Sequence, residues 1–144
     1  MIKFEGRGDI FRTTAQTLVN PVNVVGVMGA GLALEFKRRD PALFKAYQEL
    51  CAQQAFQATP VFVRDFEARK CLLFPTKEHW RDPGIKDLII RGLKYTAENY
   101  EALGITSLAI PKVGCGRGDL DWREIRPEVM RYFSGIELPV YIYL

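Results

Sequence analysis

No apolar run in this 144-residue chain approaches the roughly 20 residues that a membrane-spanning helix needs. The opening MIKFEGRGDI has no apolar core of the signal-peptide kind. The expectation is therefore a soluble, cytoplasmic protein with no membrane partner. Cysteine is scarce. Three residues, an odd number, argue against a disulfide framework and for a reducing compartment. Cys51 and Cys71 read as small buried hydrophobes. Cys115 reads as loop packing, with a redox or nucleophilic thiol as the alternative. Histidine is scarcer still: His79 stands alone, no His, Cys or Asp cluster has ligand spacing, and neither a metal nor a cofactor is expected. Charge of one sign is also missing. Twenty basic against 17 acidic residues leave a net charge of +3, too little to establish nucleic-acid binding. Lys37-Arg38-Arg39 and Lys77 through Arg81 are local basic clusters that read first as solvated faces and second as phosphate contacts. Repeats, low-complexity tracts and linkers are absent, so residues 1–144 form one domain, expected to be a monomer. With 48% hydrophobic residues it is long enough to bury about 70% of the surface its unfolded chain exposes.

What the chain does have is glycine in informative places. Leu18 to Phe36, LVNPVNVVGVMGAGLALEF, runs from an apolar strand through Asn20 and Asn23 into a loop with Gly26, Gly29 and Gly31, then into a helix. Glycines let a backbone approach a ligand closely, and the helix that opens near Gly31 offers unpaired N–H groups and a positive dipole end. Gly26, Val27, Met28, Gly29, Ala30 and Gly31 are thus candidate phosphate contacts. The spacing G-x-x-G-x-G is neither the dinucleotide fingerprint nor the P-loop. Pro111 to Leu120, PKVGCGRGDL, is a second glycine loop in which Gly114, Cys115, Gly116, Arg117 and Gly118 would face phosphate without a metal.

Short apolar or β-branched segments predict strands at Ile2 to Phe4, Thr17 to Val22, Val61 to Asp65, Cys71 to Pro75, Ser107 to Pro111 and Val140 to Leu144. Helices are predicted between most of them. Asp40-Pro41 caps one that runs to about Ala55, with Leu43, Ala46, Tyr47 and Leu50 on one stripe. Ile85 to Leu103 is the longest and stops at Gly104. Asp121 and Glu124 have capping-box spacing, and Pro127 predicts a separate turn before the last helix continues to Phe133. This alternation predicts a three-layer α/β/α sandwich around a mixed, mostly parallel sheet. Ligands bind such sheets beyond the carboxyl ends of the strands. The loops after Val22, after Pro75 and after Pro111 should converge on one edge.

A third segment, Phe74 to Arg81, reads FPTKEHWR. Lys77 is by default a protonated surface charge. If Phe74 and Pro75 on one side and Trp80 on the other desolvate it, its amine becomes a nucleophile or a proton donor. Trp80 and Trp122 read first as packing anchors. Trp80 alternatively stacks on a flipped or single-stranded base. Asp9 reads as a turn carboxylate or as an acceptor for a ligand amino group. Asn23 reads as a turn cap or as a side chain that both donates to and accepts from ligand hydroxyls, and Asn20, before Pro21, reads first as structural and second as a ligand contact.

Together these segments resemble the macrodomain family, which binds ADP-ribose, over nearly the whole chain. Gly8-Asp9-Ile10 is similar to its adenine-end motif, Asn20 to Gly31 to its first ribose and phosphate loop, and Pro111 to Leu120 to its second phosphate loop. The Thr76-Lys77 pair with GVMGAGLALEFKRR upstream resembles the branch of terminal ADP-ribose glycohydrolases and DarG antitoxins, which remove ADP-ribose from DNA. The resemblance implies that Asp9 and the backbone at Ile10 hold adenine and that Asn23 orients the distal ribose. It also implies that Lys77 attacks the anomeric carbon. Branch members that cleave protein esters carry a catalytic aspartate where this chain has Gly118. The DarG pattern, GCG-x-G-G-L-D-W, has glycine there, and Leu120 to Trp122 match its LDW. Asp119 then replaces a glycine of that pattern and is a candidate base. The implied function is a metal-independent hydrolase that frees thymidine in single-stranded DNA from ADP-ribose and reverses a DarT-type toxin, as a fragment of a longer antitoxin or a stand-alone domain. The alternatives are a hydrolase of protein ADP-ribosyl-glutamate or of ADP-ribose 1''-phosphate, and a non-enzymatic ADP-ribose reader.

Overall fold

A computed structural model describes residues 1–116 and 119–144. Six strands form one sheet: β1 (Ile2–Gly6), β2 (Thr17–Val22), β3 (Phe62–Phe66), β4 (Arg69–Pro75), β5 (Leu108–Ile110) and β6 (Val140–Tyr143). Their order across the sheet is β1-β6-β5-β2-β4-β3. Every pairing is parallel except β3 with β4. These two join through the turn at Glu67, which adopts a left-handed φ of 53°. The expected mixed, mostly parallel sheet is what forms, and all six predicted strands are present with ends shifted by a residue or two.

Four helices cover its faces: α1 (Gly31–Arg39), α2 (Pro41–Ala52), α3 (Lys86–Asn99) and α4 (Trp122–Phe133). The sheet's period of two sorts its side chains between two cores. Leu18 of β2 and Cys71 and Leu73 of β4 pack under α1 and α2 with Phe36, Leu43 and Tyr47. Val19, Leu72 and Phe74 pack under α3 and α4 with Ile89, Leu93 and Val129. Two apolar faces, each roofed by a helix pair, make the three layers.

Asp40 ties one helix layer to the sheet. Its Oδ1 accepts from the Ala42 and Leu43 amides at the start of α2, and its Oδ2 accepts from the Glu67 amide in the β3–β4 turn, at 2.9 Å. Asp40→Ala is expected to lower stability by about 1 to 2 kcal/mol in chemical denaturation, because both a cap and a turn anchor disappear.

The predicted separate turn before Pro127 does not form, and α4 is continuous. Asp121 caps it by accepting from the Arg123 amide at 2.9 Å. Ile125, Val129 and Phe133 are buried at successive helical spacings while Pro127 faces solvent, so three anchors outweigh one lost backbone bond.

Because five strands run parallel, their carboxyl ends share one edge. From β2 the chain crosses to β3 and β4 on one side, whereas β5 lies on the other. This divergence opens a crevice between the loops that follow β2 and β5.

Candidate ligand cleft

That crevice is a cleft of about 1070 Å³, walled by the loops after β2, β4 and β5 and by the end of β6. A hollow of about 430 Å³ adjoins it, lined by Gly8, Asp9, Ile10, Phe11, Gly31, Leu32 and Glu35. The three predicted loops therefore do converge, together with the Gly8–Ile10 segment after β1.

Asp9 sits in the smaller hollow. It caps a short 3-10 helix over Ile10–Arg12, with its Oδ1 accepting from the Phe11 amide at 3.0 Å. Ile10 is buried and lines both spaces. Gly8 lies against Tyr143: a Cβ at Gly8 would stand 3.2 Å from that ring.

In the first loop, Val27, Gly29, Ala30 and Gly31 line the cleft, and Gly26 and Met28 do not. Met28 instead inserts into the α1–α2 core, and Gly26, with φ +90°, turns toward α2. The loop therefore alternates between wall and anchor. Helix α1 opens at Gly31 with Ala30 as its N-cap. No side chain caps it, and no acidic residue stands in its first turn. Its leading amides are thus left to a ligand, and Lys37, Arg38 and Arg39 complement the other end of the dipole.

The two asparagines separate. Asn20 is 0% exposed and does not line the cleft. Alternation along β2 directs it into the core beside Cys71, where its amide makes no sound hydrogen bond among the described residues. As a ligand contact it is therefore displaced by its depth in the strand. Asn23 does line the cleft, at 5% exposure. Its Nδ2 donates to the Val27 carbonyl at 2.7 Å, while its Oδ1 accepts from the Val25 amide at 3.1 Å, the Val27 amide at 3.4 Å and the Tyr47 hydroxyl at 2.6 Å. The acceptor side is committed to the protein. Asn23 is not the two-way hydrogen bonder expected from its residue type, and one N–H is what it has left to offer.

In the loop after β4, Thr76 is buried and Lys77 half-buried, and both line the cleft. The Lys77 ammonium donates to the Trp80 carbonyl at 3.3 Å. The expected apolar flank differs in part: Phe74 packs in the α3–α4 core against Gly92, and the Trp80 indole is 51% exposed at the rim. The Arg81 guanidinium lies 5.2 Å from the centre of that indole, and the His79 ring 5.3 Å. The first and second walls are joined where the Val24 amide donates to the Glu78 carbonyl at 3.1 Å.

The second glycine loop supplies Gly114, Cys115 and Gly116 to the cleft. Arg117 and Gly118 lie outside the described residues. Gly114 adopts φ +76°. Asp119 is exposed with φ +61° and does not line the cleft. That left-handed conformation explains why glycine suits this position in the DarG pattern. The Cys115 thiol donates to the Val113 carbonyl at 3.4 Å, and burial pushes its pKa up, which keeps it protonated. Cys115→Ala is accordingly expected to leave any turnover within about 3-fold of wild type; a loss above tenfold in the same assay would restore the thiol as a nucleophile.

Arg81 lines the cleft, in keeping with the second reading of its basic cluster, and nothing in the sequence signals Tyr143 at the end of β6, Lys112 or the first turn of α1 at Leu32 and Ala33. Lys112 stood inside a loop singled out for its glycines, and Tyr143 read only as strand. With Lys77, Arg81 and Lys112 on its walls and no Asp or Glu among the described residues that line the main cleft, the space suits a polyanion. No group of three or more His, Cys, Asp and Glu among the described residues is placed to hold a metal ion. No helix among them is long and apolar enough to cross a membrane.

The sequence profile of the Macro domain family matches residues 19–128. The chain belongs to the macrodomain family. It is 37% identical to the DNA ADP-ribosyl glycohydrolase of Thermus aquaticus over 98% of its own length and 41% of that protein's. In structure it is similar to the macrodomain of Mycobacterium tuberculosis DarG, with a TM-score of 0.92 and 38% identity over 99% of this chain and 97% of that one. It is also similar to Thermosipho africanus DarTG in complex with ADP-ribose, at a TM-score of 0.88 and 36% identity over 99% of this chain and 41% of that one. The chain thus spans about two fifths of the length of the curated relatives it matches.

Proposed function

We propose that this macrodomain is a metal-independent ADP-ribosyl glycohydrolase that removes ADP-ribose from thymidine in single-stranded DNA, as the DarG-like antitoxin partner of a DarT-type toxin. The observation that carries the reading is the placement of Lys77 on the wall of a cationic cleft whose described lining residues include no Asp or Glu. Support comes also from the names of the similar proteins, a DNA ADP-ribosyl glycohydrolase and a DarTG solved with ADP-ribose.

In this reading adenine occupies the hollow beside Asp9 and Ile10, and the diphosphate spans the amides of α1's first turn and the loop at Gly114–Gly116. The distal ribose then reaches Asn23, Thr76 and Lys77. The Lys77 nitrogen, as the neutral amine, forms a bond to the anomeric carbon as the bond to thymine breaks. The electron pair of that bond leaves with the base, which takes up a proton. Water then cleaves the sugar–lysine bond, releasing ADP-ribose and restoring the amine. Asp119 takes no step in this scheme. Trp80, exposed at the rim under the Arg81 guanidinium, stacks on a base of the strand, a contact worth about 1 to 3 kcal/mol.

The test is a comparison of substrates. Wild-type protein is incubated with a single-stranded oligonucleotide bearing ADP-ribosyl-thymidine, with a glutamate-ADP-ribosylated protein and with ADP-ribose 1''-phosphate, and release is followed by chromatography. Release from the oligonucleotide at the highest kcat/KM is the expected result. Preference for either of the other two substrates would overturn the DNA assignment, and tight ADP-ribose binding with no release from any would make the domain a reader.

A further inference from the structure

Helix α2 carries a residue that the scheme above does not use. Leu43, Tyr47 and Leu50 form its buried stripe, and Tyr47 is fully buried. A fully buried phenol needs a polar partner. The Tyr47 hydroxyl has two at the start of the first ligand loop: it is 2.6 Å from the Asn23 Oδ1 and 2.9 Å from the Asn23 carbonyl oxygen. Burial, with Cys51 adding to it, pushes the phenol's pKa above its ordinary range, so the hydroxyl remains a donor.

We propose that Tyr47 is a positioning residue: its buried hydroxyl anchors the Asn23 carboxamide against the Val25 and Val27 backbone, which leaves that side chain to meet ligand as an N–H donor. The amide has two orientations related by a half-turn. In the observed one, Oδ1 receives three donors and Nδ2 gives one hydrogen to the Val27 carbonyl. The flipped orientation would set Nδ2 against the Val25 and Val27 amides and leave the Val27 carbonyl facing an oxygen. Tyr47 makes the shortest of the bonds to Oδ1, and the two backbone bonds are longer. A hydroxyl can also accept from Nδ2 while donating to the Asn23 carbonyl, so the backbone at Val25 and Val27 sets the orientation and Tyr47 holds the carboxamide in place against it.

The consequence is a rule for the ligand. The group that meets Asn23 has to present a lone pair, as a ribose hydroxyl oxygen, a ring oxygen or a phosphate oxygen does. Asn23 is likewise excluded as a proton acceptor in any chemistry at that end of the cleft. The first ligand loop is thus aligned from behind by a different helix from the one whose amides it leads into.

This inference rests on the ADP-ribose reading of the cleft, and two readouts separate the two. ADP-ribose is titrated calorimetrically into wild type, Tyr47→Phe, Asn23→Ala and the double variant, with circular dichroism on each to establish folding. Tyr47→Phe is expected to weaken binding roughly 3- to 10-fold, and the double variant to bind within about 2-fold of Asn23→Ala alone, because both changes remove the same contact. Wild-type affinity in Tyr47→Phe, or losses that multiply in the double variant, would overturn the inference. Independently of any ligand, the Asn23 side-chain amide signals in ¹⁵N-resolved spectra are expected to move in Tyr47→Phe. Unmoved signals would overturn the inference even where ADP-ribose binds, and absent binding by wild type with moved signals would overturn the ADP-ribose reading alone.

Discussion

Lys77→Ala is expected to lower the rate of ADP-ribose release from DNA by about a thousandfold or more while changing the affinity for ADP-ribose by no more than about 3-fold. Both halves follow from where the side chain lies. Lys77 is on the wall of the main cleft, but the features that would hold the diphosphate are backbone amides at α1 and at the second glycine loop. Removing the amine would take away the proposed nucleophile and leave those backbone amides in place. A thousandfold loss corresponds to about 4 kcal/mol of transition-state stabilisation, more than a single neutral hydrogen bond contributes and in keeping with a lost covalent step. Single-turnover release and calorimetric titration of the same preparation separate the two quantities. Equal losses in rate and in affinity would mean that Lys77 only binds. Lys77→Arg is expected to be as inactive as the alanine variant, since guanidinium keeps the charge and cannot act as a neutral nucleophile.

The second large effect is expected at Gly114. With φ at +76° it occupies a conformation that costs an L side chain about 1 to 2 kcal/mol. A Cβ there would also stand 2.5 Å from Ile89 Cδ1 and 3.0 Å from Leu120 Cδ1. Ile89 is fully buried in the α3–α4 core, so it has no room to withdraw. Strain and overpacking together predict that Gly114→Ala destabilises the protein by about 2 to 4 kcal/mol in urea unfolding. They also predict an ADP-ribose affinity at least tenfold weaker at a temperature where the variant remains folded, because the loop has to move out of register with the cleft. Gly116 provides the control. Nothing stands within 4 Å of a Cβ there, and its φ is not in the left-handed range. Gly116→Ala should therefore cost little stability, and a loss of stability equal to that of Gly114→Ala would show that the loop is sensitive to any added methyl rather than to the Ile89 contact.

The parts of this site that were legible in the sequence are those in which residue type alone limits the possibilities. Glycine in a loop between an apolar strand and a helix announces a close backbone approach, and both such loops line the cleft. The six strands were visible as short apolar segments, and the edge that carries the cleft followed from their alternation with helices. What stayed hidden depends on depth and direction. Asn20 and Asn23 are three residues apart, and only the position of the strand's end shows that one is sealed in the core while the other faces the cleft. Tyr47 has the spacing of a core residue and is one. Its hydroxyl is the informative atom, and no periodicity reports a hydroxyl's partner. Tyr143 read as strand because it is strand, and its value lies in being the last residue before an edge. Pro127 suggested a broken helix because local propensity is blind to the three buried side chains that hold α4 together. A carboxylate in a ligand loop invites the role of a base, yet Asp119 is exposed and does not line the cleft, in a backbone conformation that glycine would fill more easily.

The measurement that bears most directly on the account is the release of ADP-ribose from a single-stranded oligonucleotide carrying one ADP-ribosyl-thymidine, by wild type and Lys77→Ala side by side at the same concentration. The account predicts that wild type returns the unmodified oligonucleotide and that the variant leaves the modified one intact while still binding ADP-ribose. Release by the variant at the wild-type rate, or no release by either protein, would contradict it.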